Sequence, residues 1–209
     1  MTTKYGFSNV REQLVDSIKN AYPTKWEDFG TARVLGEDVF GSPKPHPNAV
    51  LNLFTEQNIR SALPFAAYRA ALGGFSSLTS DKPGTVLLRL ALATVMFSME
   101  LIRGRLAKLA HSVVYNMEVC GESNCLANID TSLPNPTMGV LDQIYDALIK
   151  EGKGDVLALS SPLLEGFVCV GCARTLEKAY QPWRAKIWEE LPRIFGVGKS
   201  WEEVQTGRD

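Results

Sequence analysis

Only two histidines occur in 209 residues, and His46 and His111 lie far apart in the chain. No Ser/His/Asp or Cys/His set for nucleophilic catalysis can be argued from these two imidazoles. Neither charge is in excess: 22 Lys and Arg stand against 23 Asp and Glu, a formal net charge of -1. The chain therefore lacks the global positive field that draws a protein to a phosphate backbone, and nucleic acid is not an expected partner. Long hydrophobic runs are missing too. The longest charge-free apolar stretch, Leu90 to Met99, is about half of the roughly 20 residues that a membrane helix needs, so it reads as a buried helix.

Other absences narrow the setting. Lys4, Arg11, Glu12, Asp16 and Lys19 interrupt the first residues, leaving no apolar core for a secretory signal. No Asn-x-Ser/Thr acceptor occurs, because Asn135 is followed by Pro136. The expected location is intracellular, cytoplasmic or nuclear, where paired cysteines favour a metal over a disulfide. No Gly-x-Gly-x-x-Gly or Walker-type loop is present to hold phosphates. Paired acids such as Glu189 with Glu190 and Glu202 with Glu203 read as solvated helix faces rather than a buried acid and base. No small-molecule substrate and no enzymatic activity are expected.

What is present is helical periodicity. Hydrophobic residues make up 45% of the chain, enough for an ordinary core. Val10, Leu14, Ile18 and Ala21 recur at helical spacing between Ser8 and Tyr22, with Pro23 as the stop. Trp26 to Pro47, broken by glycines and prolines, reads as an irregular connection. A helix follows Pro47, and a second begins after Ser61 with Pro64 near its start and Gly73 and Gly74 as its stop. Val86 through Val119 predicts one long helix, or two with a break near Ser98 or Gly104. Its first half carries too many apolar residues for a single stripe and should be central. Arg89, Arg103, Arg105 and Lys108 make it locally basic, which most simply describes a wet face.

Met138 to Ile149 predicts another amphipathic helix, ended by Gly152. The rhythm of Leu176, Tyr180, Trp183, Ile187 and Trp188 predicts a helix that Pro182 kinks or restarts, giving two segments that meet at Gln181. Ser200 with Glu203 has the spacing of a capping box, which starts a last short turn. Trp183, Trp188, Phe195 and Trp201 form an aromatic cluster whose helical spacing favours core packing over a partner surface. No repeat and no alternating strand pattern is found. The fold class is mostly α: an irregular helical bundle with a small four-cysteine zinc-binding annex.

That annex rests on the four cysteines of the chain, Cys120, Cys125, Cys169 and Cys172. They form a Cys-x4-Cys pair and a Cys-x-x-Cys pair, each with a glycine that permits a tight turn. Two short loops that each supply two thiolates can close a tetrahedral zinc site. His111 could in principle replace a ligand, although four thiolates already complete the shell. The alternatives are four small buried hydrophobes and thiol redox chemistry at Cys169 and Cys172.

The order of motifs adds a resemblance. Lys4, Tyr5 and Gly6 with Val10 and Leu14 come first, then His46 and Pro47, then Leu63 and Pro64 with Tyr68. The two cysteine pairs follow, and last come Trp188 to Pro192, Phe195, Gly196 and Trp201. This order resembles the C-terminal helical, cysteine-bearing region of fungal BTB/POZ domain-containing proteins, over nearly the whole chain. The resemblance implies that residues 1–24 are the tail of a BTB domain, residues 25–47 an irregular linker, and residues 48–209 a helical domain with a zinc clamp. The strand-bearing BTB body that would precede Lys4 is absent, so BTB dimerisation and cullin engagement are not implied. The expected function is a non-enzymatic adaptor or regulatory module that binds another protein. A DNA-associated transcriptional regulator and a thiol redox protein are the alternatives.

Overall fold

The computed structural model describes residues 13, 16–17, 22–29, 46–72, 86, 89–115, 157 and 169–207. Among these, all regular structure is helical and none is strand. The chain divides into two compact units, Met1–Ser98 with Glu189–Asp209, and Met99–Trp188. Of the expected first helix, Gln13, Asp16 and Ser17 are described, and all three are helical. The expected helix over Met138 to Ile149 and the stop at Gly73 and Gly74 lie outside the described residues.

The first unit is built on two short helices, α1 (Pro47–Glu56) and α2 (Leu63–Leu72), which pack against each other. Pro47 opens α1, where its missing N–H is one of the orphan donors of any helix start. Residue Asn58 ends the helix: it adopts the left-handed conformation (φ 56°), and two bonds close the turn behind it. Ile59 N–H donates to Phe54 O at 2.9 Å and Asn58 N–H to Thr55 O at 3.3 Å, the paired pattern of a Schellman motif. A 3-10 turn, Arg60–Ala62, leads into α2. Ala66, Ala67, Ala70 and Ala71 are all buried there, because small side chains let neighbours approach α2 on most sides.

Aromatic edges fill the space beside these helices. Tyr22 meets Phe54 edge-on at 4.9 Å between centroids and Phe65 at 5.7 Å. Phe29 meets Phe65 at 5.8 Å and stacks on Trp26 at 5.3 Å. These are the offset and T-shaped arrangements that ring quadrupoles favour. They also order part of the stretch expected to be irregular, since Trp26–Asp28 makes a 3-10 turn. Burial keeps the Tyr22 phenol protonated up to about 12, with the opposing pull of Arg69 the smaller effect.

Helix α3 (Arg89–Tyr115) is a single element, with no break at Ser98 or Gly104. Its first ten residues belong to the first unit and the rest to the second. Ser98 is buried, and its Oγ donates to Ile194 O at 2.8 Å. A hydroxyl spent on a distant carbonyl does not compete with the helix's own ladder. Among its described side chains the buried ones are Val95, Ser98, Met99 and Ile102, a stripe of i, i+3 and i+4 spacing. The expectation of an enclosed first half is therefore corrected: Met96 and Phe97 are exposed.

Helix α4 (Val170–Ile194) is likewise continuous, so the expected restart at Gln181 does not occur. Pro182 lies on the exposed face, where the Lys178 carbonyl that loses its helical donor has water available instead. Tyr180, Arg184, Ile187, Trp188 and Leu191 make the buried face. The helix ends in a second Schellman motif, with Gly196 at φ 65°, Val197 N–H on Pro192 O at 2.9 Å and Gly196 N–H on Arg193 O at 3.2 Å. Arg60 Nη2 donates to Val197 O at 2.9 Å. The Ser200 hydroxyl then accepts Glu203 N–H at 3.2 Å, and the Glu203 carboxylate accepts Lys199 N–H at 2.8 Å. This starts α5 (Trp201–Thr206), which packs on the Arg60–Ala62 turn. The expected cap is thus present, its carboxylate bound one residue before the serine.

Candidate metal centre

Of the four cysteines, Cys169 and Cys172 are described, while Cys120 and Cys125 lie outside the described residues. Cys169 stands immediately before α4 and Cys172 in its first turn. Cys169 takes the place usually held by Ser, Thr, Asp or Asn at a helix start. Its carbonyl accepts Ala173 N–H at 2.8 Å, and its sulfur accepts Cys172 N–H at 3.5 Å. Sulfur thus satisfies a donor that the first helical turn cannot bond internally. Gly171 lies between them. A Cβ placed on it would sit 3.9 Å from Cys169 Sγ, an ordinary contact, so crowding at the sulfur does not dictate glycine.

Cys169 is half-buried and Cys172 buried, and no disulfide joins them. The arrangement gives two thiols one turn apart at the positive end of a helix, one of them already oriented by a backbone amide. Soft sulfur donors of this kind suit zinc, and amide bonds to the sulfur are the outer-shell contacts that orient such ligands. Among the described residues, no group of three or more His, Cys, Asp or Glu is close enough to hold a metal ion. A complete shell around this pair requires ligands from outside the described residues, where Cys120 and Cys125 lie.

The two histidines differ in what is described. His46 Nδ1 accepts Asn48 N–H at 3.3 Å and caps α1, which places the proton of its neutral ring on Nε2. His111 belongs to α3. Of the aromatic cluster, Trp188, Phe195 and Trp201 are buried as core, whereas Trp183 is 39% exposed with Lys186 Nζ 5.7 Å from its ring centre. Lys108 in the basic stretch is exposed and Arg105 half-buried. Among the acids, Glu202 and Glu203 are exposed, and Glu190 lies 3.6 Å from Arg193.

One charged side chain was not singled out by the sequence. Arg184 is buried, and both Nε (at 2.8 Å) and Nη2 donate to Leu157 O. The signal was its register: arginine stands four residues after Tyr180 and four before Trp188, on the face that the rhythm assigns to the core. A guanidinium can occupy such a place when it carries its donors to a fixed carbonyl. Tyr180, one turn earlier, holds its proton up to about 12 because it is buried. No helix among the described residues is long and apolar enough to cross a membrane. The chain matches no known family profile, no curated protein and no solved structure.

Proposed function

We propose that this chain is a non-enzymatic protein-interaction module, an adaptor or regulatory unit, whose fold is held by one structural zinc on Cys120, Cys125, Cys169 and Cys172. The observation that carries the zinc reading is the Cys172 N–H directed at Cys169 Sγ, 3.5 Å away at the start of α4. A ligand sulfur in a Cys-x-x-Cys knuckle shares its lone pairs between the ion and a nearby amide. The interaction reading rests on the order of motifs from Lys4 to Trp201, which resembles the helical region of fungal BTB/POZ domain-containing proteins. A DNA-associated regulator has less in its favour, since the net charge is -1 and duplex binding draws on concentrated positive charge.

Metal analysis of protein purified without added zinc tests the proposal. About one zinc per chain is expected, and chelation should lower the thermal midpoint and the helical circular dichroism together. Cys169→Ser and Cys172→Ser should each remove the metal. Less than about half an equivalent of zinc, or a thermal midpoint unmoved by chelator, sinks the structural-zinc reading. A thiol oxidoreductase is the second reading, because Cys169 and Cys172 form a Cys-x-x-Cys at a helix start. It predicts a reducible Cys169 to Cys172 disulfide in metal-free protein, and stoichiometric tightly held zinc excludes it.

A further inference from the structure

Between Val170 and Trp188, helix α4 carries four cations that divide by face. Arg184 is buried and donates to the Leu157 carbonyl. Arg174, Lys178 and Lys186 are exposed, and with exposed Pro182 they succeed one another in steps of four along the outer side of the helix. Glu177 is the only carboxylate in that stretch. It is half-buried and stands four residues after Ala173 and three before Tyr180, toward the buried side. Among the described residues no carboxylate pairs with Arg174, Lys178 or Lys186. Trp183 flanks these cations and is 39% exposed, whereas Trp188 on the same helix is fully enclosed. Lys186 Nζ lies 5.7 Å from the Trp183 ring centre. A cation held over a ring keeps its three N–H donors, so Lys186 is positioned without being neutralised.

All four of these outward residues and Trp183 belong to the second unit. Along the helix, Arg174 and Lys178 are about 6 Å apart, and Lys186 follows about 12 Å further on. Carboxylates four and eight residues apart on a second helix have the same spacing. We propose that this face of α4 docks an acidic helical segment of another protein, with its carboxylates on the three cations and an apolar side chain against Trp183. Such a partner gives the interaction-module reading its chemistry, and it rests on that reading but not on the zinc. A nucleic-acid duplex fits less well, because three outward cations on a chain of net charge -1 neutralise few phosphates.

Fluorescence anisotropy of a labelled synthetic peptide of Glu, Ala and Leu, with glutamates at every fourth residue, reads binding to the full chain. Binding that weakens as salt rises is expected, and a peptide with Gln in place of Glu should bind about tenfold more weakly. Arg174→Glu, Lys178→Glu and Lys186→Glu should each weaken binding about threefold or more. Lys25→Glu, an exposed position in the first unit, should leave it unchanged. Trp183→Ala should weaken it about tenfold with the salt dependence unaltered. If Trp183→Ala loses helical circular dichroism, the charge reversals decide the matter, because all three of their positions are exposed. A folded parent chain that does not bind the peptide overturns the proposal. So does equal binding of the Gln peptide, tighter binding of duplex DNA, or equal weakening by Lys25→Glu. A protein partner that binds the parent and the Lys178→Glu/Lys186→Glu variant alike would keep the interaction module and remove this face from it.

Discussion

Two glycines after α4 make opposite demands on the backbone. Gly196 has φ 65° and open space around it, whereas a Cβ on Gly198 would lie 2.8 Å from Val204 Cγ2. Gly196→Ala should therefore cost about 1–2 kcal/mol through left-handed strain, and Gly196→Asn should recover part of that loss. Gly198→Ala should cost about 1–3 kcal/mol through overpacking. Adding Val204→Ala should relieve that clash, so that urea unfolding shows the double variant losing less than the two single losses summed. An additive result rejects the contact. Residues with local partners were legible in the sequence: Ser200 and Glu203, three apart, spelled a cap that the structure contains. Asn58 was not, because asparagine is common in many turn positions and the left-handed choice depends on the bonds around it. Ser98 and Arg184 were beyond local pattern, since their partners, Ile194 and Leu157, lie 96 and 27 residues away.

Proline within a helix gives α4 a built-in weakness. The helix runs unbroken through Pro182, so position 182 supplies no bond to the carbonyl four residues back. Pro182 is exposed, and alanine there would restore the donor without displacing a packed neighbour. Pro182→Ala should raise stability by up to about 3 kcal/mol, read as a higher denaturant midpoint with an unchanged slope. A lower midpoint would mean that the pyrrolidine ring itself is packed. The sequence announced a restart because proline is a strong local signal, but Tyr180, Arg184, Ile187 and Trp188 continue the buried face across it. Burial along that face outweighed one missing hydrogen bond. In α3 the error ran the other way: apolar content near Val95 suggested enclosure, yet a helix buries only the side its neighbours reach.

Burial raises the phenol pKa of Tyr22 in the first compact unit and of Tyr180 in the second. Both keep the proton up to about 12 in the folded chain, against 10.0 for an ordinary phenol. Between those values the unfolded chain holds fewer protons, so stability falls as pH rises; below pH 10 the contribution is fully present. The denaturant midpoint should drop across that window, and Tyr22→Phe and Tyr180→Phe should each flatten the drop. Tyrosinate absorbance of the native protein should show these two phenols ionising above 10.0, the value of an ordinary phenol. The candidate metal centre was legible to a different extent: spacing alone placed Cys169 and Cys172 at a helix start, but not the amide that binds the sulfur. The hydrogen bond between Ser98 and Ile194 also carries a timetable. A ribosome that has just added Ser98 must add 96 further residues before the accepting carbonyl exists, roughly 5–20 s at ordinary rates of synthesis. For most of that interval the nascent first unit lacks the whole segment Glu189–Asp209, so the part up to Ser98 waits for a much later stretch of the chain to complete its packing.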